Sequence, residues 1–151
     1  MILAPVDFSQ FSNRALQYAL TFAEQFDASL LLLHVVEAFP IDYMLGIKSA
    51  KETNEWQLKQ ARTRLSELSE KFVGDRAIAT EMVVKFGKPF QEIANVARDH
   101  GVGLIILATH GYTGLKHIQL GSTAEMVVRY APCPVLVLPS PVRAEGAAGG
   151  K

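Results

Sequence analysis

The stretch "SLLLLHVV" (residues 29–36) is apolar almost throughout and shows no alternation between apolar and polar residues. A strand with one face in water alternates, whereas a strand that is covered on both faces does not. Doubly covered strands belong to parallel sheets that carry helices on both sides. This stretch therefore predicts a central strand of an α/β fold.

Short apolar runs and amphipathic segments alternate along the rest of the chain. Further strands are predicted at residues 2–6, 78–84, 104–108 and 134–138, and helices at residues 50–72, at residues 122–130 and from Pro89 to a stop at Gly101. The strand at residues 78–84 is the least apolar, so we expect it near a sheet edge. This order implies a five-stranded parallel sheet with helices on both faces, joined by right-handed crossovers.

Another helix is expected after "DFSQFS", with Ser12 as its N-cap. Its apolar stripe is predicted to consist of Ala15, Leu16, Ala19, Leu20, Ala23 and Phe26. This stripe would lie against the sheet.

The composition is that of one globular domain of 151 residues, which we expect to span residues 1–139 and to be followed by a flexible tail at residues 140–151. The 15 Lys and Arg residues balance 15 Asp and Glu residues, which argues against binding to nucleic acid or to a membrane surface. No apolar run is long enough to cross a bilayer, and "MILAPVDF" lacks the basic segment of a signal peptide. Cys133 is the only cysteine, so no internal disulfide can form and a cytoplasmic location is expected.

Ligands of open parallel sheets bind beyond the carboxyl ends of strands, where the strand order reverses. This rule points to the ends of the first and fourth strands, namely Asp7 and the stretch "ATHGYTGLKHIQLGSTAE" (residues 108–125). Asp7 also fits a simpler role as a turn or capping residue before the first helix.

The stretch at residues 108–125 contains neither G-x-G-x-x-G nor G-x-x-x-x-G-K-[ST], the two common phosphate-binding patterns. Gly121 and Ser122 nevertheless lead directly into a helix, whose N-terminus suits an anion. Ser122 and Glu125 also form the S-x-x-E pattern of a capping box, which would satisfy the same N–H groups without a ligand. The local sequence leaves both interpretations open.

Two histidines and the cysteine are expected to be structural. His34 lies within the predicted central strand, His100 near a helix C-terminus, and Cys133 between two prolines with no adjacent cation to activate it. No metal site and no catalytic residue are predicted, since no histidine pair has metal-ligand spacing and no CxxC occurs.

The chain resembles the universal stress protein family over residues 1–139. The resemblance is carried by "PVDFS", "LLHVVE", "ATHGYTGLKHIQLGSTAE" and "APCPVLVLP". Nucleotide-binding members of that family resemble the pattern G-x2-G-x9-G-[ST], which Gly111, Gly121 and Ser122 match. Ala108 stands where the pattern has its first glycine.

The resemblance implies the strand order 3-2-1-4-5 and a site for an adenine nucleotide. Asp7 would bind the ribose, Val35 would offer backbone groups to the adenine, and Ser122 would help to hold the phosphates. The residues implied for the whole site are Pro5, Val6, Asp7, Val35, Ala108, His110, Gly111, Gly121, Ser122 and Thr123.

The function implied by the resemblance is that of a cytoplasmic stress-response protein that binds ATP, or another adenine nucleotide, with Mg²⁺ held mainly through the phosphates. It would act as a sensor or regulator on an unidentified protein partner, and would not be an enzyme. A slow ATPase or nucleotidyl transferase, and a family member that binds no nucleotide, remain as alternatives. A two-component receiver is disfavoured, because "VVKFGKP" has no acidic residue at the end of the third strand.

The fifth strand, "PVLVL", carries no charge that would block pairing at a sheet edge. The resemblance implies that two copies pair antiparallel along this strand. A homodimer is therefore expected, with Val135 and Val137 near the contact.

Overall fold

The computed structural model of the protein describes residues 1–37, 50–109 and 120–139. The strands are β1 (Ile2–Pro5), β2 (Leu30–Val36), β3 (Thr80–Phe86), β4 (Leu104–Ala108) and β5 (Val135–Leu138). The helices are α1 (Gln10–Gln25), α2 (Ala50–Phe72), α3 (Pro89–Asp99) and α4 (Ser122–Tyr130). The side chains of residues 50–53, and the predicted tail at residues 140–151, lie outside this description.

All strand pairs are parallel, and the five strands form one sheet in the order β3-β2-β1-β4-β5. The predicted fold class and strand order are thus confirmed. β3 occupies one edge, as its weaker apolar character predicted. It begins at Thr80 rather than at Ile78, because pairing with β2 starts where Thr80 lies opposite Leu30.

The central strand β2 explains why helices cover both faces of the sheet. Leu30, Leu31, Leu32 and Leu33 are all 0% exposed. Leu30 and Leu32 pack with buried residues of α1 and α2 on one face, whereas Leu31 and Leu33 pack with those of α3 and α4 on the other. A strand that alternated with polar residues would leave one of these two layers without a surface to cover.

The N-cap of α1 is Ser9, so the expectation that Ser12 caps this helix was wrong. The Ser9 hydroxyl oxygen accepts a hydrogen bond from the Ser12 N–H at 3.2 Å. Ser12 lies inside the first turn, is buried, and donates its own hydroxyl to the Ser9 carbonyl at 3.1 Å. Two serines three residues apart both fit a cap from sequence, and the backbone conformation decides between them.

The expected place of Phe26 in the apolar stripe of α1 was also wrong. The helix ends at Gln25, and the Phe26 side chain is 69% exposed. The other predicted members of the stripe are buried, namely Ala15, Leu16, Ala19, Leu20 and Ala23. Phe26 is the C-cap of the helix, and its ring lies 5.8 Å from the Phe22 ring, measured between centroids.

No helix among the described residues is long and apolar enough to cross a membrane.

The C-terminus of α3 agrees with the predicted stop at Gly101. Gly101 follows it with φ of 60°, a left-handed conformation that glycine adopts without strain.

We expect the substitution Leu32→Ala to lower the free energy of unfolding by about 2–5 kcal/mol, because it leaves a cavity beneath α1 and α2. Phe26→Ala is the matched control and should change the free energy by less than about 0.5 kcal/mol, as for other surface positions. Urea denaturation followed by circular dichroism measures both. A cost for Phe26→Ala as large as that for Leu32→Ala would contradict the assignment of Phe26 to the surface.

Candidate functional site

The strand order reverses at β1, which has β2 on one side and β4 on the other. β1 and β4 pair with Ile2 opposite Leu104 and Leu3 opposite Ile105. Asp7 lies two residues after β1 and Thr109 directly after β4, so both lie at the carboxyl edge of the sheet, where open α/β sheets bind ligands.

Asp7 forms the turn between β1 and α1. Its carboxylate Oδ1 accepts a hydrogen bond from the Ser9 N–H at 3.0 Å, and its own N–H donates to the Ser12 hydroxyl at 3.3 Å. The turn role that the sequence left open is therefore present. A carboxylate has two oxygens and about four acceptor positions, so this role is compatible with further hydrogen bonds.

Phe8, between Asp7 and Ser9, has φ of 64°. This left-handed conformation is unfavourable for a bulky residue and occurs where the surroundings hold it in place. The centroid of the Phe8 ring lies 4.3 Å from the centroid of the His34 ring. The guanidinium carbon of Arg64 lies 4.1 Å from the same Phe8 centroid. No pattern in the sequence connected Arg64 of α2 with this turn.

His34 is hydrogen-bonded, as predicted, but it is only half-buried and not in the core. Its Nδ1 lies 2.7 Å from the Val6 carbonyl oxygen, and because that oxygen can only accept, Nδ1 carries the proton. Burial lowers the pKa of His34 below its usual range, even though the hydrogen bond to Val6 acts in the opposite direction. The neutral ring thus ties the end of β2 to the end of β1.

The stretch after β4 has its two ends joined by backbone hydrogen bonds. The Thr109 N–H donates to the Leu138 carbonyl at 2.9 Å, and the Gly121 N–H donates to the Thr109 carbonyl at 2.8 Å. Gly121 therefore lies directly beside the carboxyl end of β4. The Gly121 N–H already donates to Thr109, so it is not available as a hydrogen-bond donor to a ligand. The absence of a side chain at Gly121 would instead leave space for a ligand to come close to the backbone.

The capping box predicted as one alternative for Ser122 and Glu125 does not form. Gly121 is the N-cap of α4, so Ser122 is the first helical residue and stands one position too late to cap. Glu125 instead pairs with Arg129 at 3.3 Å. Among the described residues no side chain caps this helix, and Ser122 is exposed.

The structure gathers most of the predicted site residues at one edge of the sheet. Asp7 follows β1, Ala108 ends β4, and Gly121 begins α4. Val35 lies one strand away, near the end of β2, opposite Lys85. The other described members are Pro5, Val6, Ser122 and Thr123. His110 and Gly111 fall outside the described residues.

The other candidate residues have structural roles. His100 caps the C-terminus of α3, with Nδ1 at 3.1 Å from the Val96 carbonyl oxygen and Nε2 at 3.4 Å from Glu81. Burial raises the pKa of the Cys133 thiol, which disfavours the reactive thiolate. Within the described ranges, no three His, Cys, Asp or Glu side chains come together as a metal site.

Comparison with known proteins finds one family that the chain is similar to over most of its length. A model of the universal stress protein family matches residues 1–139. Universal stress protein MJ0531 of Methanocaldococcus jannaschii is 35% identical over 147 residues, which cover 93% of this chain and 82% of the relative. Universal stress protein MJ0577 of the same organism is 31% identical over 150 residues, with coverages of 91% and 93%.

The solved structure of MJ0577 has a TM-score of 0.82 at 30% identity, covering 93% of this chain and 96% of that chain. Two less similar structures share the fold. One is a universal stress protein in complex with cAMP, at 20% identity and a TM-score of 0.58, with coverages of 91% and 94%. The other is the Archaeoglobus fulgidus protein in complex with dAMP, at 18% identity and 0.56, with coverages of 90% and 94%. From its match over almost the whole chain, this protein belongs to the universal stress protein family.

Proposed function

We propose that this protein binds ATP with Mg²⁺ across the carboxyl ends of β1 and β4, and that it acts in the cytoplasm as a nucleotide-dependent regulator of a partner protein. The observation that carries the proposal is the start of α4. A hydrogen bond of 2.8 Å to Thr109 holds Gly121 beside β4, and the helix that begins there has no side-chain cap among the described residues. Such a helix start suits an anion.

The phosphates would lie against the first turn of α4. The N–H groups of Ser122 and Thr123 lie at the positive end of the helix dipole, where they favour negative charge. Gly121 has φ of −59° and ψ of 150°, a conformation that any residue adopts. Its glycine is therefore not required by the backbone, which favours a role in the close approach of a ligand.

The ribose would bind at Asp7 and the adenine beside Val35. The carboxylate of Asp7 is held by Ser9 through one oxygen at 3.0 Å, which orients it before any ligand arrives. Two proteins of the same fold are described in complex with cAMP and with dAMP, both adenine nucleotides. These two proteins are similar to this chain in fold alone. The proposal that this chain binds an adenine nucleotide therefore depends on the residues of this chain.

Mg²⁺ would be held mainly through the phosphates. This ion keeps several of its waters and needs only one or two carboxylates in addition to phosphate oxygens. A site of this kind does not require a cluster of protein ligands. The residues implied for the phosphates that the structure describes, Gly121, Ser122 and Thr123, supply no carboxylate, so the ion would be held by phosphate oxygens and water.

The substitution Gly121→Glu is the sharpest test of the nucleotide site. Calorimetry of the parent with MgATP should give micromolar affinity, about −8 kcal/mol. The variant should fold, because its backbone conformation suits any residue and an acidic group near a helix N-terminus is favourable. It should show no binding, because its side chain and charge would occupy the phosphate position.

Asn95→Glu, which adds the same charge at an exposed position of α3, is the matched control and should bind as the parent does. Loss of binding in both variants would mean that net charge, not the site at α4, governs affinity. A parent without measurable heat or co-purified nucleotide would place the protein with the family members that bind none.

We further propose a homodimer formed along β5. β5 is an edge strand whose residues, Val135–Leu138, carry no charge, whereas the opposite edge, β3, contains Glu81 and Lys85. Charges on an edge strand discourage pairing, so β5 is the edge suited to a second copy. Val128 and Tyr130 of α4 add exposed apolar surface, at 50% and 53% exposure.

Val137→Lys should convert the dimer to a monomer, because it places an amine in the pairing strand. Met82→Lys, on the opposite edge at β3, should leave the dimer intact. Light scattering after size-exclusion chromatography measures both masses. A parent that is monomeric at high concentration would disprove the dimer, and a dimer that survives Val137→Lys would disprove this interface.

We expect no sustained ATP turnover. Phosphoryl transfer needs a placed metal, a charge clamp and an oriented nucleophile, and the stretch from Ala108 to Ala124 contains no carboxylate. Release of phosphate from MgATP should stay at the background of buffer alone. A steady rate of about 1 per second, the low end for kinases, that disappears with Asp7→Asn would instead assign the protein to the slow ATPases.

A further inference from the structure

The β1–α1 turn depends on a strained residue. Phe8 has φ of 64°, and this conformation allows the Ser9 N–H to reach back to the Asp7 carboxylate at 3.0 Å. A bulky side chain disfavours that region of backbone conformation, so the turn needs support from its surroundings. The orientation of Asp7 therefore depends on whatever holds Phe8.

Two side chains from other elements hold the Phe8 ring. The His34 ring of β2 lies 4.3 Å away, tilted by 41°, and is itself anchored at 2.7 Å to the Val6 carbonyl. The guanidinium carbon of Arg64 lies 4.1 Å from the ring centroid, a distance suited to a cation–π contact. Of these two neighbours, Arg64 is the one on a helix.

Arg64 occupies a fixed place on α2. Ala61 and Leu65, on either side of it, are 5% and 1% exposed and pack the helix onto the sheet. Arg64 itself is exposed, and its flat guanidinium can stack on an aromatic ring in a way that lysine cannot. A helix packed on one face of the sheet thus reaches the turn that carries Asp7.

We propose that Arg64 is a positioning residue for the nucleotide site, which acts by holding Phe8 and thereby orienting the Asp7 carboxylate. This proposal rests on the nucleotide binding proposed above. It assigns to α2 a part in ligand binding although Arg64 need not touch the ligand. The competing explanation is that Arg64 attracts the phosphates directly by its charge.

The first experiment compares Arg64→Ala with Arg62→Ala by calorimetry with MgATP. Arg62 is exposed on the same helix, so its variant removes the same charge and leaves Phe8 untouched. Arg64→Ala should weaken binding about two- to fivefold, the range for an exposed cation–π contact. Arg62→Ala should match the parent. Equal affinities for the two variants would overturn the proposal.

A double-mutant cycle separates positioning from direct attraction. Phe8→Leu keeps an apolar side chain but removes the aromatic face, so Arg64→Ala should have no further effect in that background. If the weakening persists undiminished in the Phe8→Leu protein, Arg64 acts on the ligand by its charge, and the proposal is wrong.

Hydrogen exchange of the Ser9 amide supplies a readout that needs no nucleotide. Because this N–H donates to Asp7, a loosened turn exposes it. Arg64→Ala should speed the exchange of the Ser9 amide about two- to fivefold relative to Arg62→Ala, because the turn loses the free energy of the cation–π contact between Arg64 and Phe8. An unchanged exchange rate would refute the positioning role. A parent that fails to bind ATP but shows the faster exchange in Arg64→Ala would refute only the proposed ligand.

Discussion

The burial of β2 on both faces is the constraint on which the rest of the structure depends. Four consecutive leucines can leave water only if a helical layer covers each side of the sheet. Covering both sides requires helices as crossover connections, and such crossovers make neighbouring strands parallel. Parallel strands in turn bring their carboxyl ends to one edge. The position of the candidate site is therefore a consequence of how the leucines are buried.

Much of this could be read from the sequence because it depends on local patterns. The apolar run of β2 and the stripe of α1 predicted the fold class, and Asp7 and Ala108, at or just beyond the ends of β1 and β4, gave the position of the candidate site. The strand order 3-2-1-4-5 came from the family resemblance and not from periodicity. Composition alone would not have fixed it, because several orders satisfy the same alternation of strands and helices.

The parts that escaped prediction depend on backbone angles or on contacts between distant residues. From sequence, Ser9 and Ser12 are equally good N-caps, and only the backbone of the turn at Phe8 decides between them. Ser122 and Glu125 fit a capping box only if Ser122 is the N-cap, but the N-cap of α4 is Gly121. The contact between Arg64 and Phe8 joins residues far apart in the chain. No spacing rule relates such a pair, since only the packing of α2 on the sheet brings them together.

The hydrogen bond between Gly121 and Thr109 has a consequence for how this fold can diversify. It closes the chain at the base of the stretch between β4 and α4, so the sheet and the helix keep their relative places independently of what lies between. The entropic cost of a closed loop grows only slowly with its length. Changes of sequence between Thr109 and Gly121 therefore need not disturb the backbone hydrogen bonds that join β4, β5 and the start of α4, and the scaffold can be kept while the sequence between these two residues varies.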